Sequence, residues 1–246
     1  MKTISKKDII DGLKRIGVEL NMELEVHSSL KSFGFVDGGA ETVIDALKCA
    51  VGTNGSIFMP ALRLSRDLSL SEEDKNNGVL RKIKVLSPEE KYSAMGIIAD
   101  TFRLLSDTQV GEGIFAISAW GKNADKISTG LEYLIDNGGK ALLLGVDIYS
   151  LTSMHYVENN MPKDISNMFK SPDMDTIYSP EEWFVENGTT PVHPWYTIQN
   201  MAYEKGLIKD GKIGDCKCMF FDISSVINIY KEELIRNPYK LYGISR

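Results

Sequence analysis

The segment Ser150-Leu-Thr152-Ser153-Met-His155-Tyr-Val-Glu158 holds the residue types best suited to chemistry. His155 and Glu158 stand three apart, so on a helix they share one face. A carboxylate so placed can hold the imidazole in one tautomer and raise its basicity. Such a histidine is a general base near neutral pH. Thr152 and Ser153 precede it at the start of that helix, where hydroxyls and amides meet developing negative charge. Two other readings stay open. A His and a Glu at this spacing also form surface helix pairs worth about 0.2–0.5 kcal/mol. H-x-x-E also occurs in metal sites, but zinc would want a third ligand, and His27 and His193 are both distant in sequence.

A second candidate is His27-Ser28-Ser29-Leu30-Lys31-Ser32-Phe33-Gly34. Its serines, Lys31 and the glycines Gly34, Gly38 and Gly39 could cradle a phosphate through backbone amides, beside the positive end of a helix beginning near Gly39. The alternative is a Gly/Ser-rich loop without special function. A third match, Gly111-Glu-Gly113-Ile-Phe-Ala116, fits G-x-G-x-x-A but lacks the apolar strand that a dinucleotide site needs before it. No Walker sequence and no G-x-S-x-G elbow occurs. Cys216 and Cys218 form C-x-C in an apparent strand, so they face one side. No companion ligands stand nearby, which favours packing over a metal or redox pair.

Both leading candidates follow strands. Residues 24–27 read as one strand, and 140–146 (KALLLGV) as a buried strand. In an open α/β sheet, ligands bind at the carboxyl ends of strands. Residues 40–51 have helical periodicity, and 56–59 form a strand closed by Pro60, which makes a strand–helix–strand crossover. Ser5 caps an opening helix with Ile9, Ile10, Leu13 and Ile16 on one stripe. Later elements are a helix over 93–105, a strand over 114–120, a helix over 198–205 ending at Gly206, a strand over 214–223 and a helix over 224–235. Residues 161–190 are less regular. Residues 62–92 are polar, with little periodicity, and read as a variable insertion: either a partly ordered excursion lining a substrate mouth or a mobile surface segment. The expectation is an α/β fold: a single layered α/β/α domain over 1–246 with a mostly parallel or mixed central sheet.

The 246 residues are 43% hydrophobic and 25% charged, which excludes a disordered or fibrous chain. Lys+Arg 28 against Asp+Glu 34 leaves a net charge of −6, so a nucleic-acid partner is not expected. No apolar stretch reaches the about 18 residues that a membrane span needs. Three cysteines and an N-terminus without an apolar signal core point to reduced thiols in the cytoplasm. The assembly is left open, a homodimer included.

In order along the chain, the segments 27–34, 36–40, 42–47, 55–60, Ser93-Ala-Met95-Gly96 with Phe102-Arg103, 143–146, Thr152-Ser153-Met-His155 with Glu158, and Gly211-Lys-Ile-Gly214 resemble the aminoglycoside 3-N-acetyltransferase family. The resemblance implies that family's antibiotic N-acetyltransferase fold. It also implies an acetyl-CoA-dependent enzyme that acetylates an amine of an amino sugar or aminoglycoside, without a metal. By the same resemblance, Ser28, Ser29, Leu30, Lys31, Ser32 and Gly34 hold coenzyme A, and His155 with Glu158 match the catalytic base and its orienting carboxylate. Thr152 and Ser153 lie where the oxyanion would be met. The family's usual Arg-Ser and His-Pro are replaced by Gln109-Val-Gly-Glu112-Gly113-Ile114. That departure predicts poor turnover of common aminoglycosides and a smaller or less cationic acceptor. The alternatives are acylation of a nucleotide-linked amino sugar in biosynthesis, or coenzyme A binding without turnover.

Overall fold

The computed structural model describes residues 3–169, 173–187 and 193–243. In chain order its strands are β1 (Glu23–Ser28), β2 (Ser56–Pro60), β3 (Leu64–Asp67), β4 (Val79–Val85), β5 (Gln109–Val110), β6 (Ile117–Gly121), β7 (Lys140–Leu144), β8 (Trp183–Asn187), β9 (Lys209–Ile213) and β10 (Cys216–Asp222). The α-helices are α1 (Lys6–Ile16), α2 (Gly39–Val51), α3 (Glu72–Asn76), α4 (Ile97–Arg103), α5 (Glu132–Asp136), α6 (His155–Asn159), α7 (Lys163–Ser166), α8 (Trp195–Glu204), α9 (Ile223–Arg236) and α10 (Pro238–Leu241).

Local chemistry sets several of these elements. Ser5 accepts from the Asp8 amide while the Asp8 carboxylate takes the Ser5 amide, a reciprocal cap on α1. Ile9, Leu13 and Ile16 on its inner stripe are buried. Leu142, Leu143 and Leu144 of β7 are also buried, as a strand covered on both faces requires.

Seven strands form one mixed sheet in the order β5-β6-β2-β1-β7-β10-β9. Its centre is parallel: β1 pairs with β2 on one side and β7 on the other. The outer strands β6 and β10 run antiparallel to this centre. One face packs α1, α2 and α4 through Leu13, Val43, Leu47, Ile98 and Phe102. The other packs α5, α8 and α9 through Leu134, Ile198, Val226 and Tyr230. Burying each such side chain contributes about 1.5–3 kcal/mol, which fixes the three layers. The expected α/β/α layering with a mixed sheet is what the chain adopts.

Residues 62–92 are more regular than their composition suggests. They supply β3, α3 and β4, and β4 pairs antiparallel with both β3 and β8 in a second, three-stranded sheet. Lys82 anchors this sheet. Its Nζ lies 2.8 Å from the buried Asp74 and over the rings of Tyr178 and Trp183.

Some boundaries differ from the sequence reading. The helix expected from residue 93 starts at Ile97, because Gly96 at φ 88° breaks the run. Ser93 instead binds the buried Asp100 through its amide and its hydroxyl. The strand expected from residue 114 starts at Ile117, and the Ile114 carbonyl serves the Arg63 amide. The G-x-G-x-x-A segment therefore leads into a strand rather than a phosphate-facing helix. Helix α8 starts at Trp195, directly after Pro194. Within 161–190, residues 170–172 and 188–190 lie outside the described residues. Cys216 and Cys218 are buried in the core with their sulfurs 4.0 Å apart.

Candidate active site

Strand β1 is where the strand order reverses: the chain leaves it through α2 to β2 on one side, while β7 lies on the other. At such a switch point, the loops beyond the strand ends diverge and open a crevice. His27 stands opposite Leu143 and Ser28 opposite Leu144, so the two candidate segments leave the sheet side by side. Gly145 makes their contact possible. It has φ 72°, and a Cβ there would lie 1.7 Å from Ser32 Oγ and 2.2 Å from Ser32 Cβ. The Ser29 amide also bonds to the Leu144 carbonyl at 2.8 Å.

After a 3-10 turn over Thr152–Met154, α6 opens at His155. His155 Nδ1 lies 2.8 Å from Glu158 Oε2. A carboxylate only accepts, so the Nδ1 atom carries the proton and Nε2 keeps its lone pair. The His155 side chain is half exposed, while that of Glu158 is 14% exposed. Glu158 Oε1 takes three further donors: His193 Nδ1 at 2.8 Å, Trp195 Nε1 at 2.8 Å and the Tyr230 hydroxyl at 3.1 Å. Tyr242 stands 2.6 Å from the Tyr230 oxygen. Because Tyr230 donates to Glu158, Tyr242 donates to Tyr230. Burial pushes the Glu158 carboxyl up, but the bonds from His155 and His193 outweigh it and hold it at about 2. Glu158 is therefore a fixed anion, oriented from every side.

The sequence reading brought together His155 and Glu158. It missed His193, Trp195 and Tyr230, which lie 35, 37 and 72 residues from Glu158. His193-Pro194-Trp195 offered a compositional hint, whereas Tyr230 looks like any core position of an apolar helix stripe.

A second network lies beneath the turn that leads to His155. Glu25 is fully buried, and its Oε1 lies 2.8 Å from His27 Nε2 and accepts from the Ser153 amide at 3.1 Å. The Thr152 amide nitrogen is 3.3 Å from the same His27 nitrogen. A carboxylate only accepts, so His27 Nε2 donates to Glu25, and the turn is tied to β1 through the Ser153 amide. Ser153 is buried and Thr152 half-buried. Glu25 was also missed. Its signal was a carboxylate two residues before His27 in one strand, the spacing that puts both on one face.

Ser28 ends β1, Ser29 precedes a 3-10 turn over Leu30–Phe33, and Gly34 closes it at φ 79°, ψ −133°. Lys31 and Gly34 are exposed, Ser28, Ser29 and Leu30 half-buried, and the Ser32 hydroxyl donates to the Ser29 carbonyl at 2.7 Å, with Cys216 Sγ 3.1 Å from the same oxygen. The turn leads to α2, whose N-cap Gly38 offers no capping side chain, and nothing lies within 4 Å of a Cβ placed on Gly39. Among the described residues, no group of three His, Cys, Asp or Glu could hold a metal ion, and no helix is long and apolar enough to cross a membrane.

The sequence profile of aminoglycoside 3-N-acetyltransferases matches residues 26–234, from the strand that carries His27 to the helix that carries Tyr230. The chain belongs to the aminoglycoside 3-N-acetyltransferase family. It is accordingly an acetyl-CoA-dependent N-acetyltransferase. Aminoglycoside N(3)-acetyltransferase III of Salmonella is 27% identical, over 91% of this chain and 88% of that protein. The prophage-derived aminoglycoside N(3')-acetyltransferase-like protein YokD of Bacillus subtilis is 28% identical, over 96% of this chain and 94% of its own. The YokD crystal structure superposes with a TM-score of 0.72 at 24% identity, covering 98% of this chain and 96% of that one. AAC-IIIb, solved as a binary complex with CoASH, shares the fold at a TM-score of 0.69 and 17% identity over the whole of both chains.

Proposed function

We propose that this aminoglycoside 3-N-acetyltransferase family member moves an acetyl group from acetyl-CoA to an amine of an amino sugar or aminoglycoside-like acceptor, with His155 as general base. The carrying observation is the His155–Glu158 pair. One imidazole nitrogen is committed to a fixed anion, and the other is left to take a proton on a half-exposed ring. The whole chain acts as one acetyltransferase domain in this reading, with residues 62–92 walling the crevice.

Coenzyme A fits the turn from Ser28 to Gly34. Gly39 leaves open space where a side chain would stand, and the uncapped N-terminus of α2 presents amides suited to phosphate. Ser28, Ser29, Leu30, Lys31, Ser32 and Gly34 would hold it, and when bound it supplies the thioester carbonyl. His155 Nε2 removes the proton of the acceptor amine as its nitrogen bonds to that carbon. The carbon–sulfur bond then breaks, and the departing thiolate takes up a proton to leave as free thiol. General-base assistance of this type contributes about 10²–10⁴ in rate. Thr152 and Ser153 stand at the turn beside the base. With the Ser153 amide engaged by Glu25, the Thr152 hydroxyl is the group we assign to the developing oxyanion.

The departing segment 109–114 supports the narrower acceptor. It forms the sheet-edge strand β5 and a turn whose Gly113 carbonyl accepts from Arg63. Retention of both His155 and Glu158 argues against coenzyme A binding without turnover. The test is release of free thiol from acetyl-CoA across a panel of aminoglycosides, simple amino sugars and nucleotide-linked amino sugars. The expected result is turnover of an amino sugar, with aminoglycosides below about 10⁴ M⁻¹s⁻¹ in kcat/KM, the low end of ordinary enzymes. No thiol release with any amine overturns the enzyme reading, and a higher aminoglycoside value overturns the acceptor.

A further inference from the structure

We infer that His193 is a positioning residue that shares Glu158 with His155 and sets the pH below which the site stops working. This rests on the reading of His155 as the base. The geometry is a carboxylate with an imidazole on each oxygen. His155 Nδ1 lies 2.8 Å from Oε2 and His193 Nδ1 2.8 Å from Oε1. The ring centroids are 6.0 Å apart and the planes almost perpendicular at 85°. One anion cannot neutralise two imidazolium rings, so protonating either ring opposes protonation of the other. His193 is drawn toward the charged form by its bond to Glu158, against the pull of burial. The two rings thus compete for one carboxylate, and Nε2 of His155 must stay bare for it to act as the base.

The other charged and titratable groups around the pair do not replace this coupling. Glu186 on β8 draws a proton to His193, and Arg81 on β4 opposes it. Asp147 is engaged by the Tyr196 hydroxyl at 2.6 Å and the Tyr149 amide at 3.0 Å. The phenols of Tyr149, Tyr230 and Tyr242 are pushed up by burial, and that of Tyr196 by its bond to Asp147, so all four stay neutral across the working range. Tyr149 also fixes His193 by donating to its carbonyl. A unit charge about 6 Å away, at an effective dielectric between about 20 and 80, moves a titration by about 0.5–2 pH units.

The sign follows. Without His193, the Glu158 charge acts on His155 alone, so His155 holds its proton to higher pH. The acid limb of kcat/KM then moves up by about 0.5–2 units. The experiment follows the His155 ring by heteronuclear NMR from pH 5 to 9 in wild type, His193→Ala and His193→Gln, alongside the pH profile of kcat/KM. His193→Gln keeps a neutral donor toward Glu158, so it tests the charge even if His193→Ala folds poorly. The expected result is an upward shift of both readouts in the variants. A His155 titration that stays within about 0.2 unit in the folded variants overturns the inference. So does a loss of kcat/KM by one factor at every pH, the mark of a purely structural role. If the titration moves but His155→Ala retains turnover, the coupling stands and the base assignment falls. If His155→Ala is inactive and the titration does not move, the base assignment stands and the role of His193 falls.

Discussion

Replacing Glu158 by glutamine separates the charge of this residue from its shape. A glutamine offers one acceptor oxygen and one NH2 donor where the carboxylate offers two acceptors. Three donors converge on Oε1, from His193, Trp195 and Tyr230, so the amide oxygen must sit there. The NH2 is then forced to the Oε2 position, against His155 Nδ1. His155 must accept at Nδ1, its proton moves to Nε2, and the atom that takes the amine proton is occupied. The expected loss in kcat is about 10³–10⁴, the size of losing the base outright, or about 4–5 kcal/mol of transition-state stabilisation. Thiol release at saturating acetyl-CoA and acceptor near pH 7.5 measures it, and a calorimetric titration should show coenzyme A binding little changed. A Glu158→Gln enzyme that keeps more than a tenth of wild-type kcat refutes the tautomer argument. The same variant alters acid stability. The Glu158 carboxyl moves from 4.5 unfolded to about 2 folded, so its contribution is present above the unfolded value and lost as pH falls through the folded one. That contribution is about 3 kcal/mol, and urea unfolding between about pH 5 and pH 2 should show it in wild type but not in Glu158→Gln.

His155→Ala should lower kcat at least 100-fold and leave coenzyme A affinity within about threefold; more than a tenth of wild-type turnover would remove His155 from the chemistry. Gly34→Val places a branched side chain at φ 79°, ψ −133°, and should weaken coenzyme A binding about tenfold or more, whereas Ser28→Ala should cost less than about threefold. Equal and negligible effects in calorimetry would place the coenzyme elsewhere. Gly145→Ala combines a left-handed backbone with a Cβ 1.7 Å from Ser32 Oγ, and should cost about 2–4 kcal/mol in denaturant unfolding. Ser32→Ala should not rescue it, because the Ser32 Cβ would still lie 2.2 Å away; full rescue would show that the hydroxyl alone sets the contact.

Much of the frame was legible in one dimension because its causes are local. The Ser5 cap, the apolar stripe of α1, the unbroken apolar run of β7 and the H-x-x-E spacing each act within one or two turns or one strand. The second sheet was not legible. β4 buries only scattered positions while presenting Arg81, Lys82 and Lys84, and its partner β8 lies about a hundred residues on, so neither shows a clean period of two.

The sequence by itself determined the α/β layering, the strand ends where a ligand would lie, and the pair of residues able to move a proton. Only the tertiary structure decided what makes that pair work: His193, Trp195 and Tyr230 closing on one carboxylate oxygen, and Glu25 tying down the Thr152–Ser153 turn. The reason is physical. Periodicity reports which face of an element meets the core, but not which distant element it meets there. A buried anion such as Glu158 collects its donors from whatever the packing of α8 and α9 brings within about 3 Å.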